Sequence, residues 1–265
     1  MEAAITRWAS ALAGAILTGC VALAQQSRDP FPSGPVAPPR AAPQGCDVPG
    51  APRDKAFATP RLKRLLSRGT DARIAAFGSS STLGAGATTQ ATTYPLQLQD
   101  ILRRTLKHAR INVDNLGVGG EIAAETAVHI LTELTAEAPA FILWQTGVND
   151  GMHDIPVTRF ETVLRSTIDA VRRANVEMAI VGQQYTSNLA SNPHYNAIGR
   201  AMERVAREKG IAFVDRFAAM QAIVAARGKE DMLYSDNFHL NDQGYRCMAE
   251  QVARTIVEGL KAGNM

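Results

Sequence analysis

Five short apolar runs alternate with stretches of helical periodicity from about residue 58 to the end of the chain. The runs are Arg73–Gly78, Ile111–Gly117, Phe141–Gly147, Met178–Gln184 and Ile211–Asp215. Short runs of this kind, rich in apolar residues, read as buried strands. Between them the period changes to 3.6. Phe160, Val163, Leu164, Ile168 and Val171 share one helix face, as do Tyr195, Ile198, Met202 and Val205, and Gly210 closes that second helix. A last helix opens at Asn241, a good N-cap, and carries Tyr245, Met248, Val252, Ile256 and Leu260 on one face. Strands alternating with helices build a parallel sheet covered on both sides, so the expectation is α/β: a three-layer α/β/α sandwich with a five-stranded parallel sheet. Trp144, in the third run, belongs in the core of that sheet. With 265 residues, 46% of them hydrophobic, the chain can fill one sizeable core.

The residues before this region read differently. No charge occurs between Trp8 and Ser27, and Trp8 to Ala24 is largely apolar. That length is marginal for a membrane span and suits an export signal. Leu17–Cys20 (LTGC) resembles a lipoprotein processing box, with Cys20 as the lipid-bearing residue and an N-terminal membrane tether as its consequence. Ala22–Ala24 (ALA) resembles an ordinary signal-peptidase site instead. Residues 1–24 are therefore expected to be a signal peptide or lipoprotein signal, and the protein is expected in the periplasm or cell envelope. Eight of the thirteen prolines lie between Pro30 and Pro52, so residues 25–57 read as an extended linker. The folded part is expected at residues 58–265.

Two cysteines remain, Cys46 and Cys247. In an exported protein such a pair is readily a disulfide; the alternative is two thiols. The net charge of +3 is spread with both signs mixed. No basic block or aromatic-basic interleaving is present, which argues against a nucleic-acid partner.

In a parallel sheet the C-terminal strand ends share one edge, and ligands bind there. Four motifs fall at that edge: Gly78-Ser79-Ser80-Ser81-Thr82-Leu83-Gly84, Asn115-Leu116-Gly117-Val118-Gly119-Gly120-Glu121, Gly147-Val148-Asn149-Asp150-Gly151 and, before the last helix, Asp236-Asn237-Phe238-His239. From residue type alone the three consecutive serines rank nearly equally.

The four motifs, in this order and at these places, resemble the blocks of the SGNH hydrolases, the GDSL-type lipases and esterases. FGSSSTLG is similar to a first block that usually reads FGDSxTxG. NLGVGGE, GVND and DNFHLNDQGY are similar to the other three. The resemblance covers Phe77 to Tyr245 and implies a flavodoxin-like strand order, 2-1-3-4-5. It also implies roles. By register with Gly78 and Thr82, Ser80 takes the nucleophile position. His239 is its general base and Asp236 orients the imidazole. The oxyanion donors are the Ser80 N–H, the Gly120 N–H and the Asn149 amide, with Gly119 the alternative to Gly120 if the register shifts by one. Ser79 stands where the family commonly has Asp, a departure that touches local bonding and leaves the nucleophile in place.

These residue types suit acyl transfer. A serine hydroxyl needs a base within hydrogen-bond reach, and a neutral imidazole can take its proton near pH 7. The expected protein is an exported serine esterase that works through an acyl-enzyme on small acyl groups, such as acetyl on a glycan. A compact chain without a large lid-like insertion favours such groups over long lipids. Two alternatives are an acyltransferase on the same triad and a non-catalytic tethered glycan-binding protein; the complete residue set argues against the second. No cofactor is expected. Asp150 and Asp154 fit no metal-loop spacing. His153 and His194 are expected at the surface or beside substrate, and His108 and His129 are given no role.

Overall fold

The computed structural model describes residues 45–49, 54, 57–107 and 109–262. The expected signal segment and most of the linker lie outside these residues, as does His108. Among the described residues no helix is long and apolar enough to cross a membrane.

Five parallel strands form the sheet: β1 (Ala72–Gly78), β2 (Ile111–Gly117), β3 (Phe141–Gln145), β4 (Glu177–Val181) and β5 (Ala212–Val214). Their spatial order is β2-β1-β3-β4-β5. The connections carry α1 (Pro60–Ser67) before β1, then α2 (Ser80–Leu83) and α3 (Tyr94–Thr105), α4 (Ala123–Ala136), α5 (Val148–Met152) and α6 (Val157–Arg173), α7 (Ser187–Ala190) and α8 (Pro193–Lys209), and finally α9 (Arg216–Arg227) and α10 (Asp242–Ala262).

The period-2 alternation of the strands explains the layers. Ile74, Ala76, Phe141, Leu143, Ala179, Val181, Ala212 and Val214 face one side, where α3, α9 and α10 cover them with Leu98, Leu102, Met220, Ile223, Met248 and Val252. Ala75, Phe77, Ile142, Trp144, Met178 and Ile180 face the other, against Ile130 of α4, Phe160 and Leu164 of α6, and Ile198 and Met202 of α8. Both faces of β1, β3 and β4 are buried, which is why those strands show no polar alternation, whereas the edge strand β2 alternates buried Ile111 and Val113 with exposed Asn112 and half-buried Asp114. The result is the three-layer α/β/α sandwich expected from the sequence.

The strands end earlier than their apolar runs. β3 stops at Gln145 rather than Gly147, and β4 at Val181 rather than Gln184. Gly147 is left-handed (φ 89°) and caps α5, which turns the chain out of the ladder. Beyond Val181 only the Gly182 N–H still bonds across, to the Val214 carbonyl. Gln183 and Gln184 thus leave the sheet and point their amides into the strand-tip turns.

The folded part also begins before residue 58. Cys46, 4% exposed, is disulfide-bonded to Cys247 of α10, with Cα atoms 5.1 Å apart. Asp54 accepts from the Asp215 N–H (2.8 Å), the Thr255 hydroxyl (3.1 Å) and the Gln251 amide (3.2 Å). The end of the stretch read as linker is therefore part of the core. The disulfide spans 201 residues of sequence, and closing so long a loop restricts the unfolded chain strongly. Cys247→Ser is expected to cost about 3–5 kcal/mol, read as a lower urea midpoint that reductant does not lower further. Equal midpoints for the two proteins would refute this.

Candidate active site

β1 ends in a turn too tight for a side chain. A Cβ on Gly78 would sit 2.3 Å from Thr82 Oγ1 and 2.7 Å from the Gln145 carbonyl oxygen. The chain then enters α2 at Ser80, with Ser79 as the N-cap residue. The three serines now separate. Ser79 is buried and turned inward: its N–H (3.1 Å) and hydroxyl (3.3 Å) both donate to Gln145 Oε1, which Thr82 also reaches at 3.3 Å. Ser81 is buried and donates to Gln184 Oε1 at 3.2 Å. Ser80 alone faces outward, and its Oγ lies 3.1 Å from His239 Nε2.

His239 is presented by a closed loop. Leu233 and Leu240 form an antiparallel bridge, and the Tyr234 N–H donates to the His239 carbonyl at 2.8 Å. Asn241 secures the base, donating to the Leu233 carbonyl and accepting from the Gly244 N–H as the cap of α10. Inside the loop, Asp236 does two jobs. Its Oδ1 accepts from the N–H groups of Phe238 and His239, both at 2.9 Å, and its Oδ2 lies 2.7 Å from His239 Nδ1. A carboxylate at that distance takes the Nδ1 proton as its donor, which leaves Nε2 as the acceptor for Ser80. Burial works to raise the Asp236 carboxyl, but the bonds from His239 and Phe238 outweigh it and hold it below the usual range.

The third and second motifs meet across the edge. Asn149, in α5, donates its amide to the Glu121 carbonyl at 2.7 Å, leaving its second N–H hydrogen uncommitted by that bond. Its neighbour Asp150 accepts from the Ala123 N–H with both oxygens, at 3.0 and 3.1 Å, at the start of α4. Together they grip the turn that carries Gly119 and Gly120. The two glycines differ: Gly120 is left-handed (φ 85°) with open space around it, whereas Gly119 is not left-handed and would carry a Cβ in ordinary contact with Leu83.

Burial pushes the Asp150 carboxyl up to about 6, against the lowering effect of the N–H groups of Ala123, Asp150 and Gly147. An acid raised in the folded state favours folding when protonated. Its contribution is therefore full below the ordinary value of 3.8 and is lost as pH rises through about 6. Asp150→Asn removes that dependence. The stability of the variant relative to the wild type should climb between pH 4 and 7 in urea titrations; a pH-independent difference would contradict it.

Other candidates fall into structural positions. His194 Nε2 lies 3.0 Å from the Ile155 carbonyl oxygen, a tie between α8 and the segment before α6. His153 is exposed at the end of α5, and Asp154 is exposed beside it. His129, given no role from sequence, pairs with Glu121 at 3.1 Å. Trp144 is wholly buried in the sheet core. Among the described residues no three His, Cys, Asp or Glu side chains converge as metal ligands would. Sequence reasoning missed Gln145, Gln183 and Gln184, whose only signal was polarity at the ends of apolar runs. It also missed Arg216, which is fully buried and donates to the Gly182 carbonyl at 3.1 Å. Burial pushes that guanidinium down to about 10, partly offset by Tyr195, Tyr245 and Tyr94.

The model of the non-GDSL lipase-like family matches residues 45–262. The chain belongs to this family. Its name agrees with the first block here, where Ser79 replaces the aspartate of the GDSL pattern and is bonded to Gln145. Similar folds occur in solved structures. The psychrotrophic esterase EstA from Pseudoalteromonas sp., solved with monoethylphosphonate as inhibitor, is 20% identical over 72% of this chain and 100% of its own, with a TM-score of 0.61. The two-domain esterase CEX, active on acetylated mannans, is 20% identical over 75% of this chain and 53% of its own, with a TM-score of 0.64. Axe2, an acetylxylan esterase from Geobacillus stearothermophilus, is 18% identical over 70% and 94%, with a TM-score of 0.60. At such identities the likeness shows a shared fold, the SGNH hydrolase fold. No curated protein matches the chain.

Proposed function

We propose that this non-GDSL lipase-like protein is an exported serine esterase that removes small acyl groups, such as acetyl, from a glycan. The observation that carries the reading is the hydrogen-bonded line Ser80–His239–Asp236, 3.1 and 2.7 Å per step, at the C-terminal edge of the sheet. In the first half-reaction Ser80 Oγ attacks the ester carbonyl while its proton passes to His239 Nε2. Asp236 holds the Nδ1–H tautomer and stabilises the imidazolium. The tetrahedral oxyanion is met by the Ser80 N–H, which as the first residue of α2 has no intrahelical partner, by the Gly120 N–H, and by the second Asn149 N–H. His239 then returns the proton to the leaving alcohol. In the second half-reaction His239 takes a proton from water as it attacks the acyl carbonyl, then returns that proton to Ser80 Oγ as the acyl C–O bond breaks and the carboxylic acid leaves.

The small-acyl reading is supported by the openness of the site. Gly119 and Gly120 are exposed and the His239 side chain keeps 25% of its accessibility, which suits a short acyl group on a bulky carrier. It is supported further by the fold shared with esterases that act on acetylated mannans and xylan. The apolar N-terminal stretch supports export, with an envelope tether if Cys20 is lipidated. Rates on p-nitrophenyl acetate, butyrate and octanoate test the reading, with fluorophosphonate labelling of Ser80 as an activity-independent check. Acetate is expected to be preferred. Faster octanoate hydrolysis would overturn the small-acyl reading, and failure of labelling would overturn the esterase. Product analysis with an added sugar acceptor separates hydrolysis from acyl transfer.

A further inference from the structure

Ser80 and His239 stand on separate turns, 159 residues apart in sequence. The base and nucleophile are useful only while their 3.1 Å approach is kept. One side chain reaches to the immediate neighbours of both. Gln184, 1% exposed just beyond β4, accepts from the Ser81 hydroxyl through Oε1 at 3.2 Å and donates through Nε2 to the Phe238 carbonyl at 3.0 Å. Its own backbone is fixed in turn, since its carbonyl accepts the Tyr195 hydroxyl at 2.7 Å. The other two strand-tip glutamines serve elsewhere: Gln145 Oε1 holds Ser79 and Thr82, and Gln183 Nε2 holds the Gly147 carbonyl.

We propose that Gln184 is a positioning residue that locks the nucleophile turn and the histidine loop into one register. The inference rests on the esterase reading given above. The chemistry requires an amide. A hydroxyl donor lies at one end and a carbonyl acceptor at the other, so the side chain must accept and donate at once. A carboxylate can accept from Ser81 but faces the Phe238 carbonyl with no proton to give. A methionine fills a similar volume and does neither.

The test uses the full-length protein and four forms: wild type, Ser80→Ala, Gln184→Met and Gln184→Glu. It follows kcat and KM on p-nitrophenyl acetate, the rate of fluorophosphonate labelling, and Tm. A misplacement of about 1 Å costs on the order of 10² in rate, so Gln184→Met is expected to lower kcat and the labelling rate together by about 10–10². KM should change little, while Tm should fall by a few degrees because the buried Ser81 hydroxyl and the Phe238 carbonyl lose their partner. Gln184→Glu is expected to be as slow as Gln184→Met at pH 8. Its activity relative to wild type should recover as pH falls and the acid gains the proton it needs to donate to Phe238. This pH-dependent ratio keeps the test open even if Gln184→Met does not fold. Wild-type kcat and labelling in Gln184→Met, or a Glu-to-wild-type ratio that is flat with pH, would overturn the proposal alone. Activity and labelling retained in Ser80→Ala would overturn Ser80 as the nucleophile, and absence of both in the wild type would overturn the esterase reading; either outcome would take this inference with it.

Discussion

Replacing Ser80 with alanine is expected to lower kcat for ester hydrolysis by about 10⁶, with Tm and any residual KM near wild type. The size follows from losing the covalent route altogether. In the proposed mechanism, without the hydroxyl His239 has no proton to take and the acyl-enzyme cannot form; only the donors around the oxyanion remain. The neighbouring serines give an internal control. Ser79 and Ser81 are buried and committed to Gln145 and Gln184, so neither can turn out to replace Ser80. Ser79→Ala removes one of three donors to Gln145 Oε1 and should leave most of the rate. If Ser79→Ala or Ser81→Ala abolished labelling while Ser80→Ala kept it, the assignment by register would be wrong.

The second large effect is expected at Asp236. Asp236→Asn should reduce kcat by about 10⁴ while hardly disturbing the loop. An asparagine carbonyl can still accept from the Phe238 and His239 N–H groups, as Oδ1 does now. The amide nitrogen then faces His239 Nδ1 and donates to it. That selects the tautomer with the proton on Nε2, which points a hydrogen at Ser80 instead of a lone pair. The base is present, in place, and protonated at the wrong atom. A second consequence follows from the lowered carboxyl of Asp236. An acid depressed on folding adds stability above its unfolded value and loses it as pH falls through its folded value, so the variant should lose less stability than wild type below pH 4. Steady-state kinetics at pH 8 and acid titration of both proteins would check the two halves; a loss of less than tenfold in kcat would refute the orienting role.

Much of the fold was legible because its central strands are buried twice over. Ile74 to Phe77 and Phe141 to Trp144 face helices on both sides, so apolar character alone marked them, and the helix stripes at Phe160–Val171 and Tyr195–Val205 followed from period. The strand ends were not legible. Gly147 and Gln184 continue runs that look extended, but a left-handed glycine and a pair of tertiary amide contacts end the ladder there. At the site, the sequence placed four motifs on one edge, and the choice of Ser80 came from family register rather than from any property of the serines. What separates them physically lies in Gln145 and Gln184, two residues of a type too common to signal anything on its own. The short helices α2, α5 and α7 carry too few turns for a periodic pattern, and α1 owes its start to the distant Glu177, whose carboxylate accepts from the Arg61 and Leu62 N–H groups.

The bond between Cys46 and Cys247 also decides how the protein responds to being pulled. A force applied at the N-terminus would otherwise peel the described residues after Cys46, and then α1, from the surface, breaking their contacts one after another. With the sulfur bridge in place the tension leaves the main chain at Cys46 and enters α10, the longest helix among the described residues, at a residue packed into the core. Everything between the two cysteines, including all four turns of the site, hangs outside that line. Under tension between its two termini the protein would thus load α10 before α1 or the turns of the site, and a reducing agent would reverse that order.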